Sequence, residues 1–330
     1  MFKDMIILVT GATGSWGYEL VRQLLRFDPK EVRLFSRNEY AQVKMKRLFQ
    51  HQQQKLTFTI GDVRDYHSLL EACKDVDYVF HLAALKSVPI CEEQPLEALK
   101  TNVTGTENVI RASMTQGVKK VIDVSSDKAV SPNNLYGMTK AIGEKLIVSA
   151  NQSSSGTKFV CIRGGNVLGT NGSVVPFFKE LIENGKDIPI TSKEMTRFFL
   201  TIEDAIQLLF TAAMDSIGGE TFVMKMKACK IVDLAEVMID SLSKESLSLV
   251  DVGIRPGEKI NEVLISEHES STSYEYSQDY YIILPANASE PLQHKYSHLP
   301  KVKIQKYESN LDLMNKAEIK ELLLKGGFLS

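Results

Sequence analysis

The chain has 330 residues, of which 43% are hydrophobic and 24% charged, enough for one large or two medium domains with a sizeable core. Its formal net charge of −2 gives no electrostatic footprint for nucleic acid, so no such partner is expected. The four cysteines (Cys73, Cys91, Cys161, Cys229) form no C-x-x-C pair and the six histidines show no ligand-like spacing, which argues for reduced thiols and against a disulfide framework or a metal site.

The apolar run in Met1–Thr10 is too short for a signal peptide and leads directly into a strand. No run approaches the ~20 residues that span a bilayer, so a cytoplasmic protein without a membrane segment is expected. Strands are predicted at Met5–Thr10, Val32–Phe35, Leu56–Ile60, Tyr78–Leu82, Val121–Ser125 and Phe159–Ile162. Helical patterns fall between them, at Gly14–Leu25, Tyr40–Gln50, Tyr66–Cys73, Pro95–Gln116 and Tyr136–Ala150. This uninterrupted alternation is the sequence form of an α/β, doubly wound parallel Rossmann sheet.

After Arg163 the rhythm changes: Gly and Asn cluster through Gly164–Gly172 and strands become sparse. A Rossmann domain over 1–165 is expected, completed by about 198–225 through a helix at Glu203–Ala213 and a strand at Thr221–Met224. A smaller mixed α/β lobe with a C-terminal tail takes 166–197 and 226–330. Ser270–Ser277 reads as a polar surface excursion, and Asn315–Leu324 as a helix that docks through Ile319, Leu322 and Leu323.

The first strand is followed at once by Gly11, Thr13, Gly14, Ser15, Trp16 and Gly17. Three glycines three apart, between strand and helix, let the backbone turn tightly and approach a pyrophosphate at the helix N-terminus. The second strand ends in Ser36, Arg37 and Asn38, where NAD sites place an acid. An arginine there suits a 2′-phosphate, so NADP is expected, whereas Lys44 and Arg47 read as a solvated basic face. Asp62 and Val63 follow the third strand, where a carboxylate can meet an adenine amino group. Ala83 and Ala84 follow the fourth and leave room for a ribose, while His81 in its apolar run reads as a packed histidine.

Ser125-Ser126-Asp127-Lys128 and Tyr136…Lys140 then place a hydroxyl, an acid, two amines and a phenol in one strand–loop–helix passage. Tyr136 and Lys140 are four apart and share a helix face, and an ammonium beside a phenol favours the phenolate, so a lowered Tyr136 pKa is expected. That couple can take a proton from a sugar hydroxyl. Asp127 and Lys128 add a second acid/base pair that alcohol oxidation alone does not require.

Together these motifs resemble the extended short-chain dehydrogenase/reductase family, and within it the UDP-N-acetylglucosamine 4,6-dehydratases of surface-glycan pathways. Further matches are Ala84-Leu85-Lys86-Ser87-Val88-Pro89, Lys100-Thr101-Asn102, Gly172-Ser173-Val174, Thr196-Arg197 and Arg255-Pro256-Gly257-Glu258-Lys259. The resemblance implies a tightly bound NADP, with Asn102 joining the cofactor site, and UDP-N-acetylglucosamine as substrate. It implies that Ser126 holds the sugar O4, Tyr136 and Lys140 serve C4 oxidation, and Lys128 and Asp127 serve as base at C5 and acid at the C6 hydroxyl. It assigns the diphosphate to Asn166, Arg197 and Arg255, a ribose hydroxyl to Glu258, and the uracil border to Ser173 and Val174, while Lys86, by its place on the loop after the fourth strand, reads as a sugar or subunit contact. Inversion at C5 and a homo-oligomer, dimer or hexamer, are expected on the same ground.

Three positions depart from the family pattern: Ser126 stands where Thr is common, Gly164 where Tyr is, and Asn261 where His is. The rivals are a C5-retaining dehydratase, a keto-sugar C5-epimerase, a UDP-sugar 4-epimerase and a non-catalytic NADP-binding protein on the same fold.

Overall fold

The computed structural model describes residues 1–154, 156–170, 172–243 and 246–329. Its first half runs β1 (Ile6–Thr10), α1 (Ser15–Leu24), β2 (Glu31–Ser36), α2 (Glu39–Leu48), β3 (Leu56–Ile60), α3 (Tyr66–Ala72) and β4 (Tyr78–His81). It continues through α4 (Val88–Glu93), α5 (Pro95–Leu99), α6 (Gly105–Gln116), β5 (Lys120–Ser126), α7 (Leu135–Ser153) and β6 (Lys158–Gly164). All residues of β1 are buried, as a strand covered on both faces requires. Ile7 and Val9 pack into one core with Leu20, Phe80 and Phe210, whereas Ile6 and Leu8 pack into a second with Val79, Val109 and Phe159. The alternation sorts one strand's side chains between two helical layers.

Strand order is β3-β2-β1-β4-β5-β6, all parallel, extended past β6 by Thr221–Met224 in parallel and by Tyr280–Ile283 and Ser273–Glu275 antiparallel. The expected doubly wound sheet is therefore present. The order reverses between β1 and β4, and the crevice beyond their carboxyl ends is where such sheets hold ligands.

Strands in the second half are more numerous than the sequence suggested, because they are too short to show a period. Asn166–Val167, Thr196–Leu200 and Ala228–Lys230 form one small sheet. Ile188–Ile190 pairs with Leu249–Asp251, and Val263–Ile265 with Tyr307–Glu308. Ser270–Ser277 is not an excursion: Glu267–Ser270 is a helical turn, and Ser273–Glu275 closes the main sheet with Ser273 fully buried. The C-terminal helix is Lys316–Lys325, and it docks through Ile319 and Leu323. In the first half, Pro95–Gln116 is helical throughout, as expected, but not regular. A π-helical turn at Lys100–Thr104 interrupts it, where the Asn102 side chain leaves to bond both backbone groups of Leu85. Among the described residues, no helix is long and apolar enough to cross a membrane.

Arg163, at the end of β6, ties three elements together. Its buried guanidinium bonds Glu144 on α7 at 2.6 and 2.8 Å, Glu269 at 2.7 and 3.0 Å, and the Leu264 carbonyl. Burial works to raise the Glu269 carboxyl, yet the charge and hydrogen bonds of Arg163 hold it at about 2, below the ordinary 4.5. A depressed acid stabilises the fold above its unfolded value, and that stabilisation is lost as pH falls from 4.5 towards 2. In urea melts Arg163→Met should lose roughly 3–5 kcal/mol at neutral pH, because it strands two carboxylates. Glu269→Gln should flatten the acid decline of stability in that window, and an unchanged decline would contradict the coupling.

Candidate active site

A cleft of about 710 Å³ opens along the carboxyl ends of the parallel strands. On its wall stand Gly11, Thr13, Gly14, Ser15, Trp16, Gly17, Ser36, Arg37, Asn38, Asp62, Val63, Ala83 and Ala84 from the expected nucleotide set. Ser126, Lys128, Tyr136, Lys140, Lys86, Asn166, Ser173 and Val174 line it as well. Asp127, Asn102, Arg197, Arg255 and Glu258 do not line it.

The loop after β1 fits a dinucleotide. Gly11 has φ +67, and a Cβ there would sit 2.8 Å from the Ala83 nitrogen, while one on Gly17 would lie 2.4 Å from the Ala12 carbonyl oxygen. Only glycine allows the loop and α1 to pack this closely, and a helix start reached by so tight a turn suits a pyrophosphate. Arg37 is half exposed and 3.8 Å from Asp62, whose carboxylate is taken by Arg64 at 2.6 and 2.8 Å. Ser36 is buried and accepts from Gln42, and Asn38 caps α2. His81 is structural: Thr10 and Thr106 hold its two ring nitrogens at 2.7 and 3.2 Å, and burial depresses it to about 4.

The acid/base groups are set by two adjoining pieces of backbone. β5 ends at Ser126 and passes into a single tight turn over Asp127–Ala129, after which Asn134 caps α7 by accepting from the Gly137 N–H at 2.8 Å. A Cβ on Gly137 would meet the Lys128 carbonyl oxygen at 2.2 Å, so α7 lies directly on that turn. The close approach sets Tyr136 among Ser126, Asp127 and Lys128. Ser126 Oγ donates to Asp127 Oδ1 at 2.8 Å, and Lys128 Nζ donates to the same oxygen at 3.0 Å and to Asn166 Oδ1 at 3.2 Å. Asp127 is only 1% exposed and lies behind Lys128, which is the member of the pair that faces the cleft.

The electrostatics differ from the sequence expectation at Tyr136. Burial raises the Tyr136 phenol more than Lys140, Lys128 and the Ser126 hydrogen bond lower it, so its pKa stands above the ordinary value rather than below. Burial works to lower Lys128, but Asp127 and Glu262 outweigh it and hold it as an ammonium. Lys140 is raised as well, against its burial, chiefly by Asp123, whose carboxylate is 3.8 Å away. Lys86 is lowered by burial and then by Lys128.

Glu262, Asp123, Lys259 and Gly137 belong to this site and were missed. Glu262 lies 3.7 Å from Lys128 and 3.8 Å from Arg197, and Lys259 bonds the Val130 carbonyl at 2.7 Å. Lys128 and Arg197 are distant from Glu262 in sequence, so no local motif marks it. Arg197 is turned inward and donates to the carbonyls of Thr196, Lys259 and Ile260. Arg255 is exposed, and its N–H bonds the Glu258 carboxylate. Of the departures, Asn261 accepts from Thr196 at 2.8 Å, and Gly164 lies on the cleft wall with nothing closer than 3.8 Å to an added Cβ.

Residues 7–284 match the polysaccharide biosynthesis protein family, and the chain belongs to it. It is 43% identical to a UDP-N-acetylglucosamine 4,6-dehydratase (inverting) of Campylobacter jejuni, over 87% of this chain and 84% of that one. It is 41% identical to a UDP-glucose 4-epimerase of Rickettsia rickettsii, over 98% and 96%. The X-ray structure of Pen from Bacillus thuringiensis superposes with a TM-score of 0.93 at 39% identity, covering 100% of both chains.

The packing of α7 on the Asp127–Ala129 turn can be tested directly. Gly137→Ala should cost about 1–3 kcal/mol by overpacking. Denaturant melts would show it, and a variant as stable as the parent would contradict the close approach.

Proposed function

We propose that this member of the polysaccharide biosynthesis protein family is a nicotinamide-dependent UDP-N-acetylglucosamine 4,6-dehydratase, inverting at C5 and using NADP. The observation that carries the reading is the Asp127–Lys128 ion pair, 3.0 Å long, beside Tyr136 and Lys140 at one cleft. Oxidation at C4 needs only the second couple; expelling water from C5–C6 needs an acid and a base of its own. The dehydratase name of the 43% identical relative supports the reading, and Arg37 at the end of β2 supports NADP.

A nicotinamide cofactor held against the Gly11–Gly17 loop and Arg37 would supply a hydride acceptor for C4 and a hydride donor for C6. Tyr136 removes the O4 proton, with Lys140 as the cation that favours its phenolate and Ser126 as the partner of O4. The C4 ketone acidifies the C5–H. Lys128 takes that proton as a free amine, while Asp127 protonates the departing C6 hydroxyl. In the resting pair the proton is on Lys128, and its passage over 3.0 Å to Asp127 Oδ1 creates the amine and the acid together. Two protons leave the sugar, from O4 and C5; two return, to the leaving oxygen and to C5.

The substrate contacts proposed are Lys86, Asn166, Ser173 and Val174 on the cleft wall, with Arg197, Arg255 and Glu258 standing back from it. A UDP-sugar 4-epimerase is the second reading, favoured by the epimerase name of the 41% identical relative, and it has no use for Asp127 and Lys128.

Incubation with UDP-N-acetylglucosamine should give a product one water lighter by mass spectrometry. The double variant Asp127→Asn, Lys128→Ala should lower that product by roughly 10²-fold or more while bound cofactor is retained. A wild-type product of unchanged mass would support the epimerase instead, and undiminished water loss in the variant would sink the residue assignments.

A further inference from the structure

Glu262 stands at the junction between the elimination pair and the segment Arg255–Lys259, and nothing in the reaction as written uses it. Its side chain is 4% exposed, and Oε2 is buried with no hydrogen-bond partner among the described residues. Four contacts fix it there. Its own N–H donates to Ser309 Oγ at 2.9 Å, Ser309 N–H donates back to its carbonyl, Asn134 Nδ2 bonds the Gly257 carbonyl at 2.9 Å, and Lys259 bonds Val130. A carboxylate is costly to bury unless its charge is answered, and here three cations answer it at ion-pair rather than hydrogen-bond distance. They are Lys128 at 3.7 Å, Arg197 at 3.8 Å and Lys259 at 4.0 Å.

Lys128 thus sits between two buried carboxylates, Asp127 and Glu262, both within 3.7 Å of its nitrogen. Lys86 and Tyr136 face it from the cleft side. Two carboxylates around one ammonium repel each other, and an added proton relieves that repulsion. The buried cluster holds two carboxylates against the cations Lys128, Arg197 and Lys259. Glu262 thus shares the holding of Lys128 with Asp127, and it answers the charges of Arg197 and Lys259 that would otherwise press on that ammonium.

We infer that Glu262 is a positioning residue for water elimination: acting through Lys128, its buried charge keeps that side chain seated beside Asp127, and it takes no part in oxidation at C4. This inference rests on the dehydratase reading.

The test uses the full-length holoenzyme with UDP-N-acetylglucosamine and follows two signals, the near-ultraviolet absorbance of reduced nicotinamide and the water-loss product. In Glu262→Gln, water loss should slow by about tenfold or more, part of the roughly 10²–10⁴-fold that acid/base help supplies. Reduced nicotinamide should form at the wild-type rate and then accumulate, because what is taken from C4 has no elimination product to return to. Glu262→Asp, which keeps the charge, should recover most of the water loss. Bound cofactor and thermal unfolding report folding, and a Glu262→Gln protein that fails them is replaced by the pair Glu262→Asp and Glu262→Asn, the first keeping water loss and the second slowing it while oxidation persists. Oxidation and water loss falling together, or water loss unchanged in Glu262→Gln, would overturn the inference. No water loss in the wild type would overturn the dehydratase reading itself.

Discussion

A buried ion pair organises this molecule's cleft. Asp127 is almost sealed from solvent, and a charge so placed persists only with a partner and further hydrogen bonds. Lys128 supplies the partner. Ser126 and Asn166 supply hydrogen bonds, and Glu262 supplies a second negative charge. Each comes from a different part of the chain: the end of β5, the strand after β6, and the segment that precedes Val263–Ile265. Satisfying the pair therefore brings the later elements down onto the carboxyl ends of the parallel strands.

The same constraint explains the approach of α7. A helix with any residue larger than glycine at position 137 would be pushed off the Lys128 carbonyl, and Tyr136 would move with it. Phenol, hydroxyl, amine and acid are thus held by backbone packing rather than by long flexible side chains. Positioning of that kind is what acid/base chemistry needs, since a small displacement separates a proton from its acceptor.

Legibility in the sequence follows locality. The fully buried β1, the glycines from Gly11 to Gly17, and the Tyr136–Lys140 spacing are written within a few consecutive residues, and the fold places the glycines, Tyr136 and Lys140 on the cleft wall. Glu262 is invisible by the same logic, because it lies far along the chain from the lysine it faces and sits in a stretch with no period of its own. The direction of the Tyr136 and Lys128 shifts was also out of reach. Adjacent charges can be read from spacing, but burial cannot, and burial prevails at Tyr136 while a distant carboxylate helps prevail at Lys128. Ser273–Glu275 was missed for a related reason, since a polar three-residue strand at a sheet edge looks like a loop until its partner is known.

The proposed reaction sets two acid/base couples to work on neighbouring carbons of one sugar. Reaction of UDP-N-acetylglucosamine in deuterium oxide, with the product read by proton NMR and mass spectrometry, tests both couples at once. A 4,6-dehydratase gives a keto-sugar that has lost water and carries solvent deuterium at C5. A product of the substrate's mass with ordinary hydrogen at C5 would contradict it.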